Sequence, residues 1–362
     1  MMKGRENWID ALKGLCILAV IMPHCGLSGL PGKWGGLCGF GGMAIIPFFI
    51  ISSYLSLVSY EKYRLRKDYS YWRWLKHKFT RLIPLYFLAL IPAVIIGGFP
   101  YWLRDGSGIS ILNVCAHLSF THGLFPYYNN SLLGVEWYVG VLAIWYAIVP
   151  IMAKYINTLS KTLVLLILSI FLVTIVCRYV VRFLVNSDSY VEMFYWQQFS
   201  FLPEIPILLM GQCLFYVKSF IDRLRKGKHR ILSLTILLVT IILMFGQAFN
   251  KNHLYHVGDL YLCGAIFFGM VIFYYVGNYR GIDNSFLAWL GRISYPMYLF
   301  HNLLIRFYDI IIGSTLPESV MATKGWVVFK YFIIVFASML LSQILIKYIE
   351  KPIVGLLERN TR

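Results

Sequence analysis

An ionisable side chain near each end of one apolar run constrains this chain more than any other feature. In IDALKGLCILAVIMPHCG, Lys13 and His24 break a segment otherwise suited to a lipid bilayer. Eleven residues separate them, close to three helical turns, so both side chains fall on one face. At 1.5 Å per residue they stand roughly 16 Å apart along the helix axis. A charge at the centre of a membrane helix costs at least ~2.5 kcal/mol and reads as functional by default. Two such residues on one face mark a polar path.

The composition agrees with a membrane protein. Of the 362 residues, 59% are hydrophobic and only 14% are charged. Mean hydropathy is +0.68, more apolar than a soluble core of this length requires. Apolar runs of spanning length predict an all-α polytopic transmembrane bundle of about ten spans. They fall near 8–27, 40–58, 82–99, 132–152, 161–181, 200–217, 231–249, 257–276, 289–312 and 326–348. Cations crowd alternate connections: Lys62, Arg64, Arg66, Lys67, Arg73, Lys76, Lys78 and Arg81, then Lys218, Arg223, Arg225, Lys226, Lys228 and Arg230. The other connections hold few, among them Lys33, Arg104, Arg182, Lys251 and Lys324. The positive-inside rule then puts both termini in the cytoplasm. The net charge of +17 is thereby topological, and nucleic-acid binding is excluded for want of a recognition fold. Asp10, Lys13 and His24 punctuate the first run and no A-x-A-like cleavage site follows, so it is expected to be a retained span rather than a signal peptide. The whole of 1–362 is expected to form one integral membrane domain. The seven cysteines show no metal or redox spacing and are expected as free thiols.

Orientation sorts the polar residues by depth. His24, Glu136, Glu204, His301 and Arg306 are expected in the outer half, and Asp10, Lys13, Arg81 and Arg292 at the inner edge. An imidazole with a pKa near neutrality suits a general base, and a carboxylate at matching depth would orient it. Glu136 fits that depth, whereas Asp10 lies ~21 Å below His24 on the same helix. A histidine hydrogen-bonded to a neighbouring helix is an equally good reading of His24 from spacing alone. In SYPMYLFHNLLIRF, Tyr295, Tyr298 and His301 recur at three-residue steps, and Tyr298, Asn302 and Arg306 at four. That polar stripe serves either interhelical hydrogen bonding or substrate binding by His301 or Arg306. Lys78 and Arg81 in KFTRLIPLYF stand where a basic loop meets the bilayer, placed either to grip phosphates or to snorkel. His117 and His122, five apart, have no convincing metal spacing, so no metal is expected.

Taken in order, these segments resemble the acyltransferase-3 family of integral membrane O-acyltransferases along nearly the whole chain. Ile9-Asp10-Ala11-Leu12-Lys13-Gly14 with His24 is similar to the family's Leu-Asp-x-Leu-Arg-Gly opening and its arginine–histidine spacing, with lysine in the arginine's place. PFFIISSYL resembles a phenylalanine-rich second span, with Ser53 where glycine is common. Lys78-Phe-Thr-Arg81-Leu-Ile-Pro-Leu-Tyr86 resembles a basic pair before Ile-Pro-Leu-Tyr. Ser294, Tyr295, Tyr298, Leu299 and His301 match a Ser-Tyr-x-x-Tyr-Leu-x-His pattern, and IEKP at 349–352 a terminal Glu-x-Pro. Lysine at 13 keeps the charge but loses the planar fork of arginine. Aligning Trp145-Tyr146 and Pro150 with the family puts Leu142 and Ala143 where many members carry Val-Glu, as in its sugar O-acetylase branch. Glu136 is therefore a reading of this sequence and not of the family.

The resemblance implies transfer of an acyl group, usually acetyl from acetyl-CoA, to a sugar hydroxyl of a surface polysaccharide or lipid-linked glycan. It implies a bacterial cytoplasmic-membrane enzyme in contact with lipids. Lys13, Lys78 and Arg81 would lie near the CoA phosphates and His24 would act as general base or acyl carrier, the base being preferred because one direct displacement needs no acyl-imidazole. Asp10, Tyr298, His301 and Arg306 would contact the acceptor. The rival reading is a transporter or flippase of a glycolipid or small anion, whose intramembrane His and Arg would line a pathway.

Overall fold

The computed structural model describes residues 7–99, 108–184, 190–226, 230–249, 261–270, 284–321 and 323–359. All regular structure among them is helical. Five helical segments are long and apolar enough to cross a membrane: Lys33–Arg64, Tyr71–Ile95, Trp137–Tyr155, Glu192–Arg223 and Lys324–Leu357. Each overlaps a span expected from the sequence. Three further expected spans appear as shorter apolar helices, Leu159–Ile175, Ser233–Leu243 and Tyr261–Met270. Arg104, Lys228 and Lys251 lie outside the described residues.

The main helices are α1 (Asn7–His24), α2 (Lys33–Phe40), α3 (Ile45–Arg64), α4 (Tyr71–Ile95), α5 (Ile111–Leu118), α6 (Trp137–Tyr155) and α7 (Leu159–Ile175). They continue as α8 (Phe201–Lys226), α9 (Arg230–Phe249), α10 (Tyr261–Met270), α11 (Ser285–Arg292), α12 (Ser294–Gly313), α13 (Lys324–Leu345) and α14 (Lys351–Arg359). Three boundaries differ from expectation. α4 starts eleven residues before the expected 82 because the Ser70 hydroxyl accepts from Arg73 N at 3.2 Å and caps the helix. Lys78 and Arg81 therefore sit on a helix rather than in a loop. α6 starts at Trp137, which leaves Glu136 in the preceding turn. The expected span 289–312 is broken at Ile293 into α11 and α12.

The chain forms two compact units. The first comprises Met1–Phe48, Ile221–Leu254 and Ala265–Ile349, and the second Phe49–Phe220, Tyr255–Gly264 and Glu350–Arg362. In the first unit, α1 and α11 cross with their backbones in contact at Gly14 and Gly291. A Cβ on Gly291 would lie 2.5 Å from the Asp10 carbonyl carbon, and one on Gly14 2.9 Å from that of Leu287. Only glycine permits so close a crossing, a device common where helices pack without water to drive them. Asn284 caps α11 by accepting from Leu287 N at 2.8 Å. α13 reaches α1 through Tyr331, whose hydroxyl donates to Leu18 O at 3.1 Å, and α12 through Lys330–Asp309 at 2.6 Å.

In the second unit, α3 packs on α8 and α6. The Ser53 hydroxyl donates to Leu208 O at 2.6 Å, and Gly211 supplies the room, since a Cβ there would meet Ser53 Cβ at 2.6 Å. Ser53 is thus accommodated by a glycine on the facing helix. Phe49 meets Tyr138 with ring centroids 4.7 Å apart, and Trp145 Nε1 donates to Ser56 Oγ at 3.2 Å. The turn after α5 places Phe120 at φ 59°, a left-handed conformation unusual for a bulky residue. Rings of Phe79, Tyr86 and Phe87 surround Phe120 at 5.0–5.9 Å and hold it there.

Candidate active site

The first unit carries a histidine pair. α1 ends at His24, and α12 brings His301 beside it, with ring centroids 5.0 Å apart and planes at 67°. Pro23, inside the last turn of α1, cannot donate a backbone hydrogen bond, so the helix ends here readily. His24 is exposed, whereas His301 is fully buried. The His301 Nδ1 lies 2.7 Å from Tyr298 O and 3.2 Å from Met297 O. A carbonyl only accepts, so Nδ1 carries the proton and Nε2 presents a lone pair. That Nε2 is buried and meets no hydrogen-bond partner. An exposed imidazole edged by a buried one of fixed tautomer can take a proton from a hydroxyl brought to it.

The other expected site residues of this unit flank the pair along its helices. Tyr298 is buried one turn before His301, with ring centroids 5.9 Å apart. Arg306 is half-buried on the following turns of α12. Asp10 is buried near the start of α1, at the glycine crossing, and Lys13 is half-buried one turn on.

The second unit carries a different cluster, built on the expected residue Glu136. Its Oε1 accepts from Leu132 N at 2.8 Å and faces His117 Nε2 at 3.2 Å. Its Oε2 accepts from Leu133 N at 3.1 Å and Val135 N at 3.0 Å. Gly134, at φ 74°, lets the turn curl so that these amides converge. His117 Nδ1 donates to Asn113 O at 2.8 Å. His122 stacks on His117 at 4.4 Å and donates Nε2–H to Glu136 O at 3.1 Å. All three side chains are fully buried. Burial, then the adjacent His117, pushes the His122 imidazole down to about 3. Burial pushes the Glu136 carboxyl up, but the His117 hydrogen bond, both imidazoles and the Leu132 N–H hold it below its ordinary value. The carboxylate thus anchors its own loop. Sequence spacing missed this cluster because five residues suit no metal motif. The available signal was Asn113 to His117, one helical turn apart on α5. Among the described residues, no group of three or more His, Cys, Asp or Glu is placed to hold a metal.

Lys78 and Arg81 also belong to the second unit. The Lys78 ammonium sits over the rings of Trp74 at 4.6 Å and Tyr146 at 5.3 Å, a cation–π box that fixes it. Trp74 is itself held by Nε1–H donation to Tyr146 O at 3.0 Å. Arg81 is exposed one turn further. All seven cysteines are free, as expected.

No curated protein and no solved structure matches this chain. The acyltransferase domain that defines the acyltransferase-3 family matches residues 6–347, nearly the whole chain, and takes in both histidine clusters and both basic positions. The chain belongs to the acyltransferase-3 family of membrane acyltransferases.

Proposed function

We propose that this protein is an O-acyltransferase that moves an acetyl group from acetyl-CoA to a sugar hydroxyl of a surface polysaccharide or lipid-linked glycan. It works in a bacterial cytoplasmic membrane, with about ten spans and both termini inside. The reading is carried by family membership together with an exposed His24 at the end of α1, edged by His301. His24 takes the proton of the attacking hydroxyl as its oxygen bonds to the thioester carbonyl. The C–S bond then breaks, and the proton on His24 returns to the leaving thiolate. Lys13, Lys78 and Arg81 supply positive charge for the donor's phosphates, with Lys78 steadied by its aromatic box. Asp10, Tyr298 and Arg306 supply polar contacts for the acceptor. Glu136 positions the loop that precedes α6.

Acetyl-CoA binding to purified protein in detergent tests the donor. Binding that weakens at least ~10-fold in a Lys78→Ala, Arg81→Ala double variant is expected for two lost phosphate contacts. Wild-type protein that ignores acetyl-CoA but binds another acyl-CoA changes the donor, and one that binds no acyl-CoA points to a transporter, which has no reason to hold CoA.

A further inference from the structure

The histidine pair carries a division of labour that neither residue type nor spacing assigns. His301 is tied to its own helix through Nδ1, which donates to the carbonyls of Tyr298 and Met297. A neutral imidazole has one N–H, so the opposite nitrogen, Nε2, is a pure acceptor. Because Nδ1 turns back onto the α12 backbone, Nε2 sits on the far side of the ring, away from that backbone. His24 is the ring that meets His301 from α1. That buried Nε2 meets no hydrogen-bond partner, which leaves it open to a donor brought from His24. When the lone-pair nitrogen of His24 faces a hydroxyl, its other nitrogen carries the matching N–H, and protonation to imidazolium strengthens that donor. Among the other charges on the packed helices, Arg292 ends α11, Lys33 starts α2 and Lys324 starts α13. Asp309 pairs with Lys330 at 2.6 Å, Arg306 lies beyond His301 on α12, and Asp10 and Lys13 sit three or more turns down α1.

We propose that His301 is the positioning partner of His24, its Nε2 accepting the N–H on the nitrogen of His24 that faces away from the hydroxyl, most strongly in the imidazolium formed during acyl transfer. No proton passes to His301. The hydroxyl proton moves to His24 as the C–O bond forms and returns to the thiolate as the C–S bond breaks, while His301 orients the ring throughout. The arrangement puts an imidazole where many catalytic histidines have a carboxylate, in a site with no negative charge hydrogen-bonded to His24 among the described residues. The inference rests on His24 being the base.

Two isosteres separate this role from a structural one. Asparagine at 301 keeps a donor at the Nδ1 position for the helix carbonyls and loses the Nε2 acceptor. Glutamine carries its amide oxygen out to the Nε2 position and loses the inner donor. Membranes holding His24→Ala, His301→Asn, His301→Gln or wild type at matched protein levels are given acetyl-labelled acetyl-CoA, and label in the carbohydrate fraction is followed. His301→Asn is expected to lose ~100-fold or more in rate, in line with removing the orienting group of a catalytic histidine, and His301→Gln to lose ~10-fold or less. Activity of His301→Asn at or above that of His301→Gln overturns the proposal, since the helix back-bond would then be all that matters. A fully active His24→Ala removes the base itself, and with it the reading on which the proposal rests. If neither isostere is active, 15N spectra of histidine-labelled wild type decide. A bare Nε2 resonance that shifts as His24 takes up a proton supports the pairing, and one indifferent to that titration overturns it.

Discussion

Replacing Gly291 with alanine tests how α1 is held. The added Cβ would stand 2.5 Å from the Asp10 carbonyl carbon and 2.9 Å from Asp10 Cα, with the carbonyl oxygen closer still. All of these are backbone atoms of α1, so no side chain can swing aside. Ordinary contact begins near 3.4 Å, and to clear the nearer carbonyl oxygen the two helices must part by roughly 1.5 Å. Overpacking of this kind costs ~1–3 kcal/mol when side chains absorb it, and two rigid helices push the value to the top of that range or beyond. Gly14→Ala meets Leu287 from the other side at 2.9 Å and is expected to behave alike. The two changes should be less than additive, because separation forced by one makes room for the other. Thermal unfolding in detergent measures the loss. A Gly291→Ala protein with the wild-type melting temperature would refute the backbone-to-backbone crossing.

Removing the carboxylate in Glu136→Ala strands three buried amides and His117, and is expected to cost ~3–5 kcal/mol. Glu136→Gln, which keeps one acceptor oxygen, should cost less; equal losses in a chemical-denaturant series would count against the loop-anchor role. Acid should destabilise the second unit, and the sign follows from both groups. His122 is depressed from 6.5 to about 3 in the fold, so the unfolded chain binds its proton first as pH falls. Its contribution is lost between those values at up to ~1.4 kcal/mol per pH unit. Glu136 is held below 4.5, so its contribution is present above that value and is lost as pH falls through its folded value. Melting temperature should therefore fall from pH 6.5 downwards, and His122→Asn should flatten that slope; a slope unchanged by the substitution would contradict the assignment.

Helical class was legible in the sequence because apolar runs of spanning length have few other solutions. Boundaries were less so. Lys76, Lys78 and Arg81 read as loop because they are charged, yet Ser70 starts the helix before them and the rings of Trp74 and Tyr146 shelter Lys78. Depth placed His24 and His301 in the same half of the membrane, and they are neighbours in the first unit. The loop partners of Glu136 were not legible, because a carboxylate's partners depend on the turn it sits in. The Gly134 turn gives Glu136 three amides of its own loop. The tautomer of His301 was beyond reach, since it depends on which carbonyls its ring meets.

Label transfer from acetyl-CoA to the carbohydrate fraction, measured in membranes holding wild type or His24→Ala at equal protein level, decides whether His24 is the base. Transfer by the wild type is expected to fall to background in His24→Ala. Transfer undiminished by the substitution would contradict it and move the chemistry away from the end of α1.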